Sequence, residues 1–213
     1  MRQRVVKHRE EIVNENRAWL AEEPVSNKGH WRDVFGNDAP LFLEIGSGKG
    51  QFICNTAAKE PEKNFLACEG GENISVRILQ KAAAMDLPNL RLIAEYITKA
   101  TDYFEDGELD GIYINFCDPW PKARHAHRRL THHLLLEEYK KVIKSGGFIA
   151  FKTDNDELFD FSLEEFAIAG LTPVRLTRDL HDSEWNESNV PTEYEEKFSG
   201  MGKTINYALI ILP

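Results

Sequence analysis

Short apolar runs rich in β-branched and aromatic residues alternate with segments of helical periodicity along most of this 213-residue chain. That alternation restricts the fold more than any other feature. Leu41 to Ile45 reads as a strand, followed by a glycine-rich turn and a helix from about Gly50 to Lys59. Asn64 to Cys68 precedes a helix over roughly Ile74 to Met85, and Leu90 to Ala94 and Gly111 to Phe116 supply a third and a fourth strand. Thr131 to Lys144 has helical spacing, with Leu134, Leu135, Tyr139, Val142 and Ile143 on one side. Ser145-Gly146-Gly147 is expected to end that helix ahead of a fifth strand, Phe148 to Phe151. Glu157 to Ala169 reads as another amphipathic helix, and Thr172 to Thr177 and Ile205 to Leu212 as two late strands. The pattern predicts an α/β fold: a doubly wound, mostly parallel seven-stranded sheet with helices on both faces. Residues 1–40, with a helix near Glu10 to Glu22, read as an amino-terminal extension to one domain over residues 41–213.

The stretch NFCDPWPKARHAHRRL, Asn115 to Leu130, carries the clearest chemistry. Asp118 falls at the carboxyl end of the fourth strand, where open α/β sheets bind ligands. Pro119 and Pro121 each fix a φ angle, so the Asp118 carboxylate and the Trp120 ring have little freedom. Lys122, Arg124, Arg128 and Arg129, with His125 and His127, form a cationic surface that contains no acid. A held carboxylate beside such a surface suggests chemistry on a polyanion.

The net charge of −9 argues against nucleic acid binding over the whole surface but not against one basic face. Glu184 to Glu196 is strongly acidic, and Arg2 to Arg9 is a second basic segment, read as an ordinary charged start. No signal peptide or membrane span is visible, because the apolar runs are strand-sized. Cys54, Cys68 and Cys117 have no zinc-ligand spacing and read as reduced core residues, so a cytoplasmic location is expected. No metal site is expected: His132 and His133 are adjacent rather than at helical ligand spacing. His181, beside Asp179 and Asp182, reads as a satisfied structural histidine.

Glu44-Ile45-Gly46-Ser47-Gly48-Lys49-Gly50 closes the first strand. A P-loop is excluded by its spacing, and the dinucleotide fingerprint fails because its third glycine would fall at Gln51. What remains is the acid-x-Gly-x-Gly-x-Gly signature of class I S-adenosylmethionine-dependent methyltransferases. Glu69, ending the second strand, sits where a ribose-binding acid belongs, and Glu44 adds a negative charge suited to the cofactor's ammonium or sulfonium end.

On the motifs EIGSGKGQF, INFCDPWPKARHAHRRL, GGFIAFKTDN and TEYEEKF, in that order, the chain resembles the bacterial tRNA (guanine-N7)-methyltransferase family over nearly its whole length. The resemblance implies a Rossmann-like class I methyltransferase that uses S-adenosylmethionine to methylate N7 of the variable-loop guanosine, conventionally position 46 of tRNA. It implies cofactor contacts from Glu44, Gly46, Gly48, Glu69, Tyr96 and Asp118, with Asp118 also the catalytic aspartate. Lys122, Asp154, Thr192, Glu193, Tyr194 and Glu195 match substrate-side positions, and Arg124, His125, Ala126, His127, Arg128 and Arg129 match the RNA-interacting run. Asp154, Glu193 and Glu195 are the expected readers of the guanine N1 and N2 donors, helped by Thr192. Tyr96 departs from the family's Asp or Asn, Ala123 and His127 replace lysines, and Cys117 stands where serine is usual. Gly70-Gly71 is expected to loosen the turn after Glu69.

The expected partner is tRNA, with no membrane and no obligatory partner protein, the protein being a monomer or homodimer. The competing readings are a nucleic-acid methyltransferase acting on an exocyclic amine and a non-catalytic tRNA-binding protein. Trp120, where the amine enzymes carry proline, counts against the first; Tyr96 favours the second. A nicotinamide-dependent dehydrogenase is a remote third reading, weakened by the missing glycine.

Overall fold

The computed structural model describes residues 6–213; the basic start expected from Arg2 lies partly outside them. The elements run α1 (Arg9–Glu15), α2 (Trp31–Phe35), β1 (Leu41–Ile45), α3 (Gln51–Lys59), β2 (Asn64–Cys68), α4 (Glu72–Ala84), β3 (Leu90–Ile93) and β4 (Leu109–Asn115). They continue through α5 (His133–Val142), β5 (Ile143–Thr153), α6 (Asp156–Ile168), β6 (Pro173–Thr177), α7 (Glu193–Ser199) and β7 (Asn206–Ile211). One seven-stranded sheet has the order β3-β2-β1-β4-β5-β7-β6. The neighbouring pairs among β1 to β5 are parallel, and β7 runs antiparallel to both β5 and β6. β1 and β2 are buried along their full length, as strands covered on both faces must be.

Side-chain alternation sorts β1 into two cores. Leu41, Leu43 and Ile45 join Ile112, Ile114, Leu136, Tyr139, Phe151, Phe159 and Phe166 under α5 and α6. Phe42 turns the other way, among Phe52, Ile53, Phe65, Ile78 and Leu79 under α3 and α4. Glu44 lies on that second face. The chain winds outward from β1 to β3, then crosses back to place β4 on the other side of β1. The order therefore reverses between β1 and β4, the position where such sheets bind ligands. Among the described residues, no helix is long and apolar enough to cross a membrane.

Three expectations are corrected. The amino-terminal helix stops at Glu15; Arg17–Trp19 form a 3-10 turn, and Leu20 bridges Leu92 in parallel. The Ala21 N–H donates to the Leu92 carbonyl and the Trp19 indole to the Leu87 carbonyl, both at 2.8 Å, so this segment lines the free edge of β3. In α5, which starts two residues later than expected, the buried face is Leu136, Tyr139 and Val142, whereas Leu134 is 62% exposed because it shares its side of the helix with the exposed Glu137 and Lys141. Ser145-Gly146-Gly147 does not separate helix from strand. β5 already begins at Ile143, and the Gly146 N–H and Gly147 carbonyl pair with Leu212.

Candidate active site

Two loops meet at the reversal point. The first leaves β1 through Gly46, Gly48 and Gly50, at φ 79°, 54° and 77°, a left-handed path costly to other residues. Gly46 and Ser47 N–H groups donate to the Cys68 carbonyl, both at 2.9 Å, which ties this loop to the end of β2. Glu69 follows at once, its two oxygens accepting from Gly48 N–H (3.1 Å) and Gly71 N–H (2.8 Å). Burial raises the Glu69 pKa, these amides oppose the rise, and the nearby negative charge of Asp118 adds to it. Because β2 and β4 both run parallel to β1 on either side of it, the acids that follow them lie at the same end of the sheet.

Glu44 is 2% exposed, and its Oε1 accepts from Asn115 Nδ2 at 2.8 Å. Glu44 Oε2 and Asn115 Oδ1 are both buried without a partner among the described residues. Burial pushes the Glu44 carboxyl up to about 7, against its bond to Asn115. Two adjacent buried acceptors lacking a donor fit a cationic ligand group. Asn115 was not among the sequence candidates; its one signal is a polar residue inside the apolar run GIYINF.

Tyr96 is 71% exposed, and its ring lies over Gly70. A Cβ on Gly70 would stand 2.3 Å from that ring, so this glycine admits the aromatic rather than loosening the turn, correcting the expectation above.

The second loop leaves β4 at Phe116, whose N–H donates to the Lys152 carbonyl at 2.8 Å. Phe116 (φ 50°) and Trp120 (φ 41°) are both left-handed and bracket the exposed Asp118. Arg129 reaches back over this turn, donating from Nε to the Pro119 carbonyl (2.9 Å) and from Nη2 to the Trp120 carbonyl (3.2 Å). Its guanidinium lies 4.2 Å from the Phe161 ring centroid. His125 stacks on Trp120 at 5.8 Å, and the Arg128 guanidinium lies 5.0 Å from the same ring. Ala123–Arg128 form a 3-10 helix that turns Lys122, Arg124, His127 and Arg128 to solvent, while His125, Ala126 and Arg129 are half-buried. The basic run is thus not a uniform strip.

The third wall is α7. Thr192 and Glu195 form a reciprocal capping box at its start. Glu195 is fully buried, with Oε2 bonded to Lys152 Nζ (2.8 Å) and Oε1 to His181 Nε2 (2.8 Å) and Asn189 Nδ2 (2.5 Å). Lys152 also donates to Asn189 Oδ1 and the Val190 carbonyl, both at 3.0 Å. Burial alone would raise Glu195; Lys152, His181 and Asn189 hold it below the usual carboxylate range. The expected guanine contact from Glu195 is not what this geometry offers, since both oxygens are taken by the protein. Glu193 pairs with Lys81 (2.8 Å) and Lys49 (3.2 Å), and Asp154 with Lys203 (2.9 Å). Tyr194 is exposed and stacks at 6.4 Å on Phe116, next to the Asp118 turn.

His132, His133 and Glu165 also converge, their ligand atoms within 4.8 Å of one another, an arrangement that adjacency in sequence hides. There Glu165 accepts from the His133 N–H (2.5 Å) and ring Nδ1 (2.6 Å), which closes the amino end of α5.

Residues 38–208 match a family described as "Putative methyltransferase". The chain is 46% identical over 184 residues to the tRNA (guanine-N(7)-)-methyltransferase of an Exiguobacterium species, covering 86% of this chain and 85% of that protein. It is 44% identical over 205 residues to the protein of the same description from Streptococcus mutans, covering 96% and 97%. Among solved structures, the 16S rRNA methyltransferase KamB superposes with a TM-score of 0.65 at 13% identity, covering 91% of this chain and 95% of that one. The 16S rRNA (adenine(1408)-N(1))-methyltransferase from Catenulisporales acidiphilia gives 0.59 at 15% identity, covering 90% and 94%. At those identities the structures speak for the fold alone, which is that of class I methyltransferases.

Proposed function

We propose that this chain, which belongs to the tRNA (guanine-N7)-methyltransferase family, moves a methyl group from S-adenosylmethionine to N7 of the variable-loop guanosine of tRNA. The observation that carries the mechanism is that Glu69 and Asp118 follow β2 and β4, which flank β1 in parallel at the sheet's reversal point, beside a glycine loop and a cationic turn. S-adenosylmethionine supplies an electrophilic methyl on a sulfonium sulfur, so the N7 lone pair forms the new bond while sulfur keeps the electrons of the old one. N7 carries no proton, and no general base is required there. The protein's task is alignment, which accounts for up to about 7–11 kcal/mol of such barriers.

Each wall has its part in that task. Glu69 retains acceptor capacity for the ribose hydroxyls, and Glu44 Oε2 with Asn115 Oδ1 receives the cofactor's ammonium group. Gly46 and Gly48 leave open space where side chains would stand. Asp118 positions the guanine and offsets the positive charge that grows on its imidazole ring. Lys122, Arg124 and Arg128, all exposed, meet phosphates. Asp154, Thr192 and Tyr194 border the base, while Glu195 holds the helix that carries Thr192 and Tyr194.

Incubation with labelled S-adenosylmethionine and unmodified tRNA, followed by N7-methylguanine-specific strand cleavage, tests the reading. A single cut in the variable loop is expected. Methyl transfer without that cut would point to an exocyclic amine, and bound tRNA without transfer to a binding protein. Asp118→Ala is expected to lower kcat by about 10²–10³-fold, within the range for loss of one electrostatic group, while tRNA affinity holds. Equal losses of both would sink the positioning role.

A further inference from the structure

We infer that Arg129 is a positioning residue for the Asp118 turn and not one of the phosphate-binding cations among which its sequence neighbours place it. This rests on the proposed methyl transfer for its kinetic consequence, but its structural content stands on the loop alone. The turn from Phe116 to Trp120 contains two non-glycine residues with positive φ, 50° and 41°, one on each side of Asp118. Such a conformation persists only where the surroundings impose it. At the Phe116 end the constraint is the bond to the Lys152 carbonyl of β5. At the Trp120 end it is Arg129, whose Nε and Nη2 reach the carbonyls of Pro119 and Trp120, the two residues directly after Asp118.

A planar guanidinium holds two successive carbonyls at fixed spacing, which an ammonium cannot do. Its face is covered by Phe161 of α6 at 4.2 Å, which docks the clamp on a core helix. Arg129 is half-buried, unlike the exposed Lys122, Arg124 and Arg128. Two of its donor nitrogens and one face of the guanidinium are therefore engaged before any RNA arrives.

The test compares Arg129→Ala, Arg129→Lys and Arg128→Ala with the wild type, reading kcat at saturating tRNA and the salt dependence of tRNA affinity. For both Arg129 variants we expect kcat to fall at least tenfold with the salt slope unchanged. Arg128→Ala should instead lower the slope by about one unit, the signature of one lost phosphate contact. Guanidinium ion, against matched sodium chloride, should restore part of the kcat of Arg129→Ala, a rescue that general destabilisation would not give. Amide exchange at Phe116, the turn N–H held by the Lys152 carbonyl, should accelerate in both Arg129 variants.

A slope lowered by Arg129→Ala, full kcat in Arg129→Lys, or unchanged exchange in the turn would each overturn the inference. If the alanine variant does not fold, the lysine variant alone decides, since it keeps the charge and loses the paired donors. Should the wild type transfer no methyl group, the proposed function fails, and the exchange measurement still decides on the clamp.

Discussion

The two acidic walls of the cleft are built from the same residue types and behave in opposite ways. On the glycine-loop side, Glu44 and Glu69 are held by backbone N–H groups and an asparagine amide, with no cation bonded to either among the described residues. Burial raises both, Glu44 to about 7. On the α7 side, Glu193 and Glu195 are also partly or fully buried, yet Lys81 and Lys49 on the one and Lys152 on the other bring both below the usual carboxylate range. The first wall carries unneutralised acceptors whose charge a ligand must stabilise. The second is closed by the protein's own lysines and is there to hold shape. A count of carboxylates in a cleft is therefore not a count of carboxylates open to substrate.

The largest effect that could break this contrast comes from Lys152→Met. Removing one partner of a buried pair leaves Glu195 uncompensated and is expected to cost about 3–5 kcal/mol, measured by urea denaturation. Replacing both residues with apolar ones of similar volume should recover most of it. A single-variant cost below about 1 kcal/mol would mean the α7 wall is not locked by this pair.

A smaller effect separates the walls by the sign of their pH dependence. Glu44 is an acid whose folded pKa is raised, so the folded state binds the extra proton and stability is lost as pH rises from about 4.5 to about 7. The span, (7 − 4.5) × about 1.36, gives roughly 3 kcal/mol. Glu195 is depressed, so its contribution is present above the ordinary carboxylate range and is lost as pH falls. Relative to Glu44→Gln, the ligand-free wild type should weaken as pH rises from about 4.5 to about 7 and level off above that. Relative to Glu195→Gln, it should instead weaken on acidification. Parallel curves for the wild type and Glu44→Gln would show that Glu44 is charged and compensated after all.

The elements legible in the sequence were those whose identity is local. β1 and β2 match their expected bounds because each is a short, mostly apolar run between breakers. Glu44, Glu69 and Asp118 were legible as a group because strand ends in a parallel sheet lie together whatever the side chains do. Features that depend on distant partners were not. Asn115 meets Glu44 across 71 residues, Lys152 meets Glu195 across 43, and Lys81 meets Glu193 across 112. Nothing in a basic run marks Arg129 as different from Arg128, because the difference is a turn that bends back over its own carbonyls. The length of α1 was misjudged because Trp19 and Leu20, apolar at helical spacing, find their partners at the edge of β3.

The smallest expected effect falls on the glycine-loop wall, at the contact between Gly70 and Tyr96. A Cβ at residue 70 would lie 2.3 to 2.5 Å from Tyr96 ring carbons, so in Gly70→Ala the ring must leave its place. Because that ring is 71% exposed, it can swing into solvent. Folding stability should then change by less than about 0.5 kcal/mol, as for ordinary surface substitutions. Cofactor affinity should behave differently. If the ring offers its face to the adenine in place of a carboxylate, losing it costs about 0.5–1.5 kcal/mol, or roughly two- to tenfold in Kd by calorimetric titration. Tyr96→Ala should give the same loss, and adding Gly70→Ala to it should cost nothing further, because both changes remove one contact. Additive losses would show that residue 70 acts on the cofactor through its own backbone. Met at position 152 would change stability by several kcal/mol with little direct effect on cofactor affinity. Ala at position 70 would do the reverse, and that crossed pair of outcomes is what distinguishes a wall built to hold shape from one built to receive a ligand.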